Sequence, residues 1–308
     1  MPALELTPEF FTPVVPAWAS PEEQEWASWR GQRLSGLHAP HGWLTVASYE
    51  WLPEAPGRLE SVPGLWSAAD GVARVEAAPG LMGPSGEPFE GGTIRLDEGS
   101  SDIVASFDAA ECPFDSVFRG GGRSRVDSGL VQVELGVRGG RYMVRTRRHN
   151  PELAHVPTFP FDPAWVVSAV FEPLPVPYTE HVETARADTV VPTRIVGTVR
   201  FHVPGLASEV VAAVEESGSG AGESSFSLTF RDATSGTTTP AWRFVTVRVF
   251  AEPSEDGWAP GEYNAVIDFN RALDYPMAFT PFAVCPAPVA GNTIPAPVTA
   301  GEKALPRV

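Results

Sequence analysis

Trp43-Leu44-Thr45-Val46-Ala47-Ser48-Tyr49-Glu50-Trp51 is the stretch on which the fold turns. It is rich in β-branched and aromatic residues, and its apolar period is two, the signature of a half-buried strand. Just before it the period is helical. Ser20 can cap a helix, Pro21 suits its first position and Glu23 can complete a capping box. Trp26, Trp29 or Arg30, Arg33 and Leu37 then recur at helical spacing with Leu34 beside them, and Gly36 and Pro40 end the run. Beyond Trp51 no second helix of this kind follows. Strands are expected at 72–77, 93–96, 102–107, 130–137 and 140–147, then at 164–172, 194–203, 208–214, 224–231, 242–251 and 263–269. Gly, Asp and Ser clusters separate them.

Short strands at close spacing predict an all-β, mainly antiparallel protein: two packed β blocks, sandwich- or barrel-like, with one short N-terminal helix. A single distorted barrel with long loops is the alternative. Residues 1–19 read as an N-terminal arm, and 20–148 as the helix plus the first β block. Residues 149–163 (HNPELAHVPTFPFDP) form a Pro-rich connection, and 164–308 the second β block with an extended, Pro-rich C-terminal segment.

Composition narrows the function. The chain has 308 residues with 38 acidic and 22 basic side chains, a formal charge of −16, which argues against a sequence-independent nucleic-acid binder. Its apolar runs stop at about eight residues, where a membrane helix needs about 20. The opening MPALELTPEFF has neither a basic nor an apolar leader region, so no secretory signal is expected. Cys112 and Cys285 fit either one long-range disulfide or two thiols; two thiols in a reducing cytoplasm is the simpler reading and sets the expected location.

His38 and His41 flank the helix end, and His149, His155, His181 and His202 are scattered. No HExxH or CxxC spacing, Walker loop, GxGxxG or GxSxG is present, so neither metal nor cofactor is expected. Arg119-Gly-Gly-Gly-Arg123 lacks strand-to-helix context and reads as a loop.

Four places can carry chemistry. Arg141, Met143, Arg145 and Arg147 share a strand face about 6.6 Å apart, so two guanidiniums can grip one carboxylate or phosphate, or simply pair with the chain's own acids. Asp232, in Arg231-Asp-Ala-Thr-Ser-Gly236, is a turn-forming residue or a carboxylate held at a strand end for ligand or proton work. Asp268 and Asn270 project from one face of an apolar strand opposite Phe269, either paired or lining a cavity. Cys285 has no local histidine to activate it and reads as a buried, inert thiol.

Several motifs, in order, resemble one bacterial family, the domain of unknown function 1684 family, over about residues 26–303. They begin with Trp29-Arg30, Arg33, Gly42-Trp43-Leu44, Trp51-Leu52, Gly140-Arg141-Tyr142 and Arg145. They continue with Phe159-Pro160, Asp162-Pro163, Trp165, Phe230-Arg-Asp-Ala-Thr-Ser-Gly236 and Arg243-Phe244. The last are Asp268-Phe-Asn-Arg-Ala272, Ala278-Phe-Thr280, Cys285-Pro286, Asn292 and Ala300-Gly-Glu-Lys303. The resemblance implies motif positions for Asp232, Arg243, Asp268, Asn270 and Lys303, but no established activity. Lys303 is also the chain's single lysine among 21 arginines. The chain departs from the family at Thr237-Thr238-Thr239 (usually Glu-Thr-Tyr), at Leu273-Asp274-Tyr275 (usually Tyr-Asn-Pro), at Met277 (usually Cys) and at Gly291 (usually an acid).

The expected function is a small-molecule pocket, with a cofactor-independent acid/base enzyme of isomerase, cyclase, lyase or hydrolase type as its sharpest form. Asp232 and Asp268 would be the catalytic carboxylates. Arg243, Asn270, Lys303, Arg141 and Arg145 would bind the ligand. No nucleic-acid or membrane partner is expected. The alternative is a non-catalytic β-scaffold, a binding or assembly module in which these motifs are structural.

Overall fold

In the computed structural model, helix α2 (Pro21–His38) begins where the sequence places it: Ser20 Oγ accepts from the Glu23 amide at 3.2 Å. Its buried residues include Trp26, Ala27, Arg30, Leu34 and Leu37. Arg30 therefore occupies the apolar stripe, with Trp29 half-buried beside it. The preceding arm contains one helical turn, α1 (Pro8–Phe11). Gly31 lets this arm approach, because a Cβ there would lie 2.2 Å from Thr12 Oγ1.

The structure describes residues 8–39, 42–108, 129–148, 156–216, 225–254 and 257–305. Cys112, His41, His149, His155 and the Arg119–Arg123 loop lie outside them. The chain divides into two compact units. One, the barrel unit, comprises Met1–Ser35, Ala154–Phe279 and Cys285–Val308; the other, the smaller unit, comprises Gly36–Leu153 and Thr280–Val284. Residues 1–35, with most of α2, thus group with the later strands rather than with the first β block.

The smaller unit holds β1 (Val46–Trp51), β2 (Leu65–Ala69), β3 (Val72–Glu76), β4 (Gly91–Ile94), β5 (Ser101–Asp108), β6 (Leu130–Arg138) and β7 (Arg141–Arg147). Four make an antiparallel sheet in the order β1-β7-β6-β5, and three make the sheet β2-β3-β4. Asp70-Gly71 and Gly139-Gly140 turn the β2–β3 and β6–β7 hairpins, both residues of each pair having positive φ. Trp66, Val133, Leu135 and Val144 are central in the core. Residues 43–45, expected as strand, form a 3-10 turn before β1.

The barrel unit holds β8 (Val166–Glu183), β9 (Val190–Phe201), β10 (Val210–Glu216), β11 (Ser225–Asp232), β12 (Arg243–Val249), β13 (Tyr263–Asp268), β14 (Leu273–Asp274) and β15 (Thr293–Ile294). Strands β8 to β13 pair antiparallel in sequence order, and β13 pairs back onto β8. Six strands therefore close a barrel, which leaves none of the six as a free edge. Alternate residues point inward: Val167, Ala169 and Phe171 from β8, Phe226, Leu228 and Phe230 from β11, Val245, Val247 and Val249 from β12. Phe171 stacks on Phe226 with centroids 4.6 Å apart. Gly197 makes room for Phe171, since a Cβ there would sit 2.4 Å from its ring.

The interior is a packed aromatic and aliphatic core. Residues 292–300 run extended with alternate side chains buried, and β15 pairs parallel to β11. Among the described residues, no helix is long and apolar enough to cross a membrane.

Candidate functional site

Asp232 ends β11, where a turn through Gly236 (φ 76°) reverses the chain. Its Oδ1 accepts from the Thr234 amide at 2.6 Å and the Thr234 hydroxyl at 2.5 Å, and its Oδ2 accepts from Arg243 Nη2 at 2.9 Å. Arg243, the first residue of β12, also donates to the Ala300 and Glu302 carbonyls from Nη1 and to the Val298 carbonyl from Nη2, at 2.6, 3.0 and 3.0 Å. Both side chains are 1% exposed. One guanidinium thereby ties the turn after β11 to three carbonyls of the C-terminal segment.

Glu302 extends this network. Its carboxylate accepts from Arg30 Nη1 at 2.5 Å, Arg33 Nε and Nη2 at 3.3 Å, and the Asp274 amide at 2.7 Å. Burial alone would raise the Glu302 carboxyl, but Arg33 and Arg30 hold it below its ordinary range. Asp274 is fully buried and neither of its carboxyl oxygens has a hydrogen-bond partner. Burial first, and the neighbouring Glu302 charge second, push its carboxyl well above the usual carboxylate range against the pull of Arg243, Arg33 and Arg30. Sequence reasoning passed over both acids. Glu302 lies in the motif Ala300-Gly-Glu-Lys303, whose composition singles out the lysine and not the acid. Lys303 is half-buried, with Nζ 4.6 Å from the Phe159 ring centroid.

Asp268 and Asn270 do not share a strand face. β13 stops at Asp268, and Phe269–Arg271 forms a 3-10 turn capped by the Asp268 side chain, which accepts from the Asn270 amide at 3.0 Å. The turn carries Asn270 inward, where its Nδ2 donates to the Asp162 carbonyl at 2.9 Å and to Asp268 Oδ1 at 3.0 Å. Its Oδ1 accepts from the Asp162 amide at 3.0 Å. The Asn270 carbonyl accepts from Trp26 Nε1 of α2, also at 3.0 Å.

Asp268 itself lines a groove of about 410 Å³ within the barrel unit. The floor is the outward face of β12 and β13: Arg248 pairs with Val266, Phe244 with Leu273 of β14, and Asp268 with Val166 of β8. Phe244 and Arg248 are four positions apart on the strand, so this floor is about 13 Å long. α2 contributes Glu22, Glu25 and Trp29, and Phe161 lines the groove as well. Arg271 bridges the walls, with Nη2 2.7 Å from Glu25 Oε1, Nε 3.2 Å from Asp268 Oδ2, and its guanidinium 5.4 Å from the Trp29 ring centroid.

Arg141 and Arg145 belong to the smaller unit. Glu134 of β6 receives both Arg145 and Arg147, the latter at 2.7 Å through Nε, and the Trp43 ring lies 4.8 and 5.5 Å from the two guanidiniums. Burial opposes ionisation of Glu134, but Arg145 and Arg147 outweigh it and bring its carboxyl to about 2. The carboxylate gripped by two arginines is the chain's own. Arg141 is exposed and lies 4.1 Å from the Trp51 ring centroid.

One more acid stands out in the barrel unit. Glu215 Oε2 accepts from Thr229 Oγ1 at 2.9 Å, and Thr229 Oγ1 lies 2.7 Å from the Tyr275 hydroxyl. Burial raises Glu215 to about 7, against a smaller opposing effect of the Thr229 hydrogen bond. Cys285 is buried. Among the described residues, no group of three or more His, Cys, Asp or Glu is arranged to hold a metal ion.

Of the seven sequence candidates, Asp232 and Arg243 meet directly, and so do Asp268 and Asn270. Lys303 meets none of the other six. Only Asp268 lines the groove.

No curated protein matches the chain. Among solved structures, an uncharacterized protein of Haloarcula marismortui, determined by solution NMR, is 25% identical over 48% of this chain and 75% of its own, with a TM-score of 0.36. A family model described as "Protein of unknown function (DUF1684)" matches residues 152–303, which include the motifs from Phe159 through Lys303 but not those of α2 and the smaller unit. Through residues 152–303, this chain resembles the DUF1684 family.

Proposed function

We propose that the barrel unit binds a small molecule in the groove between α2 and the outer face of β12 and β13. The observation that carries this reading is the position of Asp268, a family-motif residue that borders an aromatic-walled cleft of about 410 Å³. That volume is within the range of small-molecule sites, roughly 300–1,000 Å³. Trp29, Phe161 and Phe244 offer apolar surface, while Asp268, Arg271 and Arg248 offer polar contacts at different points along the floor. An elongated ligand with an apolar body and a polar or charged end fits this distribution. Any acid/base step would fall to Asp268, because Asp232 is enclosed by its own partners. The proposal invokes no cofactor and sets the protein in a bacterial cytoplasm, in keeping with its two cysteines.

Ligand-observed NMR with a set of aromatic acids and amines tests the reading. Hits that vanish in Val266→Trp, which fills the groove from the β13 side, support it. Hits that survive Val266→Trp, or no hits, remove it. A second reading is favoured by a specific observation: the buried hydrogen bonds of Asp232, Arg243 and Asn270 to the chain's own groups suit a scaffold whose motifs hold the barrel unit together. An empty screen would leave the scaffold standing alone.

A further inference from the structure

The groove between α2 and the outer face of β12 and β13 holds five charged side chains: the acids Glu22, Glu25 and Asp268, and the bases Arg248 and Arg271. Four of them are engaged by the chain itself. The Arg271 guanidinium lies between two carboxylates, 2.7 Å from Glu25 Oε1 and 3.2 Å from Asp268 Oδ2, and packs against the Trp29 ring. Asp268 Oδ1 accepts from the Asn270 amide and from Asn270 Nδ2, both at 3.0 Å. The Glu22 carboxylate takes hydrogen bonds from its own amide and from the Ser20 side chain, at the start of α2.

Arg248 is the exception. Among the described residues its guanidinium has no hydrogen bond and no ion pair; its contact is the Phe250 ring, with the centroid 5.9 Å away. The sheet fixes where this charge stands. Arg248 is opposite Val266, and Asp268 is two residues further along β13. Arg248 and Asp268 are therefore diagonal neighbours on one outward face, about 7–8 Å apart. They do not pair, because both Asp268 oxygens already have donors. At the other end of the floor, Phe244 lies beside Leu273 and against the Tyr275 ring, with centroids 4.6 Å apart. One pole of the groove is thus an uncompensated positive charge, and the other is apolar.

We infer that the groove takes a monoanion: a carboxylate on an extended apolar body, with the carboxylate on Arg248 and the body running toward Phe244. This inference rests on the binding reading above and names the ligand class for it. A guanidinium meets a carboxylate through two parallel N–H···O bonds, which fix its orientation as well as its charge. An amine would find no free carboxylate to receive it, since each acid of the groove already has a donor. One unpaired cation matches one negative charge. A dianionic phosphate monoester would bring a second charge beside Glu22, Glu25 and Asp268 with nothing to neutralise it. In this orientation the body of the ligand, and not its carboxylate, passes Asp268. The chain's charge of −16 gives an anion no long-range attraction, so the selectivity lies in the contact with Arg248 and not in fast capture.

Calorimetric titration with three probes of one skeleton tests this: phenylpentanoate, phenylpentanamide and phenylpentylamine, at neutral pH. The acid should bind about ten-fold more tightly than the amide, with the amine weakest. Arg248→Met should bring the acid to the level of the amide and leave the amide unchanged, which also shows that the groove is intact. Arg248→Glu should reverse the order and place the amine above the acid. Val266→Trp should abolish binding of all three. An amide or amine that binds as tightly as the acid overturns the anion assignment, as does an acid preference that survives Arg248→Met or an equal loss of acid and amide in that variant. In each of those cases the groove reading still stands if Val266→Trp abolishes binding. No binding by any probe, or binding that survives Val266→Trp, removes the groove reading and this inference with it.

Discussion

Each unit contains one buried carboxylate held by two arginines, and the two assemblies are built differently. In the smaller unit, Glu134 and its partners Arg145 and Arg147 lie on adjacent strands β6 and β7, and Glu134 faces Arg145 in the register. Bringing them together takes one hairpin. In the barrel unit, Glu302 is held by Arg30 and Arg33, some 270 positions away along the chain, and a second acid, Asp274, is buried beside it. The first arrangement satisfies a local ladder. The second joins a helix, a short strand and the C-terminal segment, and it includes a carboxyl without a donor. Similar chemistry thus serves a local register in one unit and long-range closure in the other.

The largest expected effect comes from breaking the long-range assembly. Glu302→Ala leaves buried Arg30, half-buried Arg33 and the Asp274 amide without their acceptor, and should cost the barrel unit about 3–5 kcal/mol in denaturant unfolding. Glu134→Gln should cost the smaller unit about 3 kcal/mol at neutral pH. Its penalty should be acid-sensitive: the folded carboxyl is at about 2 against an ordinary 4.5, so its contribution is complete above about 4.5 and disappears as pH falls through about 2. Wild type and variant curves that stay apart at low pH would break the comparison from this side.

An effect of similar size and opposite sign is expected at Glu215. With its folded value near 7 and its ordinary value 4.5, stability falls as pH rises between them. Glu215→Gln should therefore raise barrel-unit stability by about 3 kcal/mol well above pH 7 and do little below pH 4.5. A loss at all pH values would mean that the ionised carboxylate is needed. The smallest effect belongs to Lys303→Met, which removes a cation from the Phe159 ring and should cost under about 1 kcal/mol. A cost matching Glu302→Ala would show that the lysine, and not its neighbour, matters in that motif.

These contrasts also explain what the sequence could disclose. α2 and most strands were legible because period, caps and turn residues are local properties. β2, at Leu65–Ala69, was missed because it is short and only partly alternating. The full length of β8 was hidden by Pro173, Pro175 and Pro177, which interrupt the ladder where the β8–β9 register shifts. The arginine row on β7 was legible for the same reason as the strands, although its acceptor was not. Asp268 and Asn270 were assigned one face because strand spacing was extended across a 3-10 turn. Arg30 beside Trp26 was visible on the helix, but no local pattern names a partner some 270 residues ahead. Asp274 was noted only as a departure from the family, and its burial follows from tertiary packing.

The separation of Arg30 from Glu302 has a consequence for how the protein is made. Translation supplies about 5–20 residues each second. The hairpin that joins Glu134 to Arg147 is complete soon after both have emerged, well before Glu302 is made. Helix α2 emerges earlier still, yet its two arginines lack their acceptor until some 270 further residues have been produced, on the order of tens of seconds later. A nascent chain halted shortly before Glu302 would carry all six barrel strands and a helix with nothing to hold its charges. The barrel unit is thus one that can close its charges only after Glu302 has followed all six strands off the ribosome.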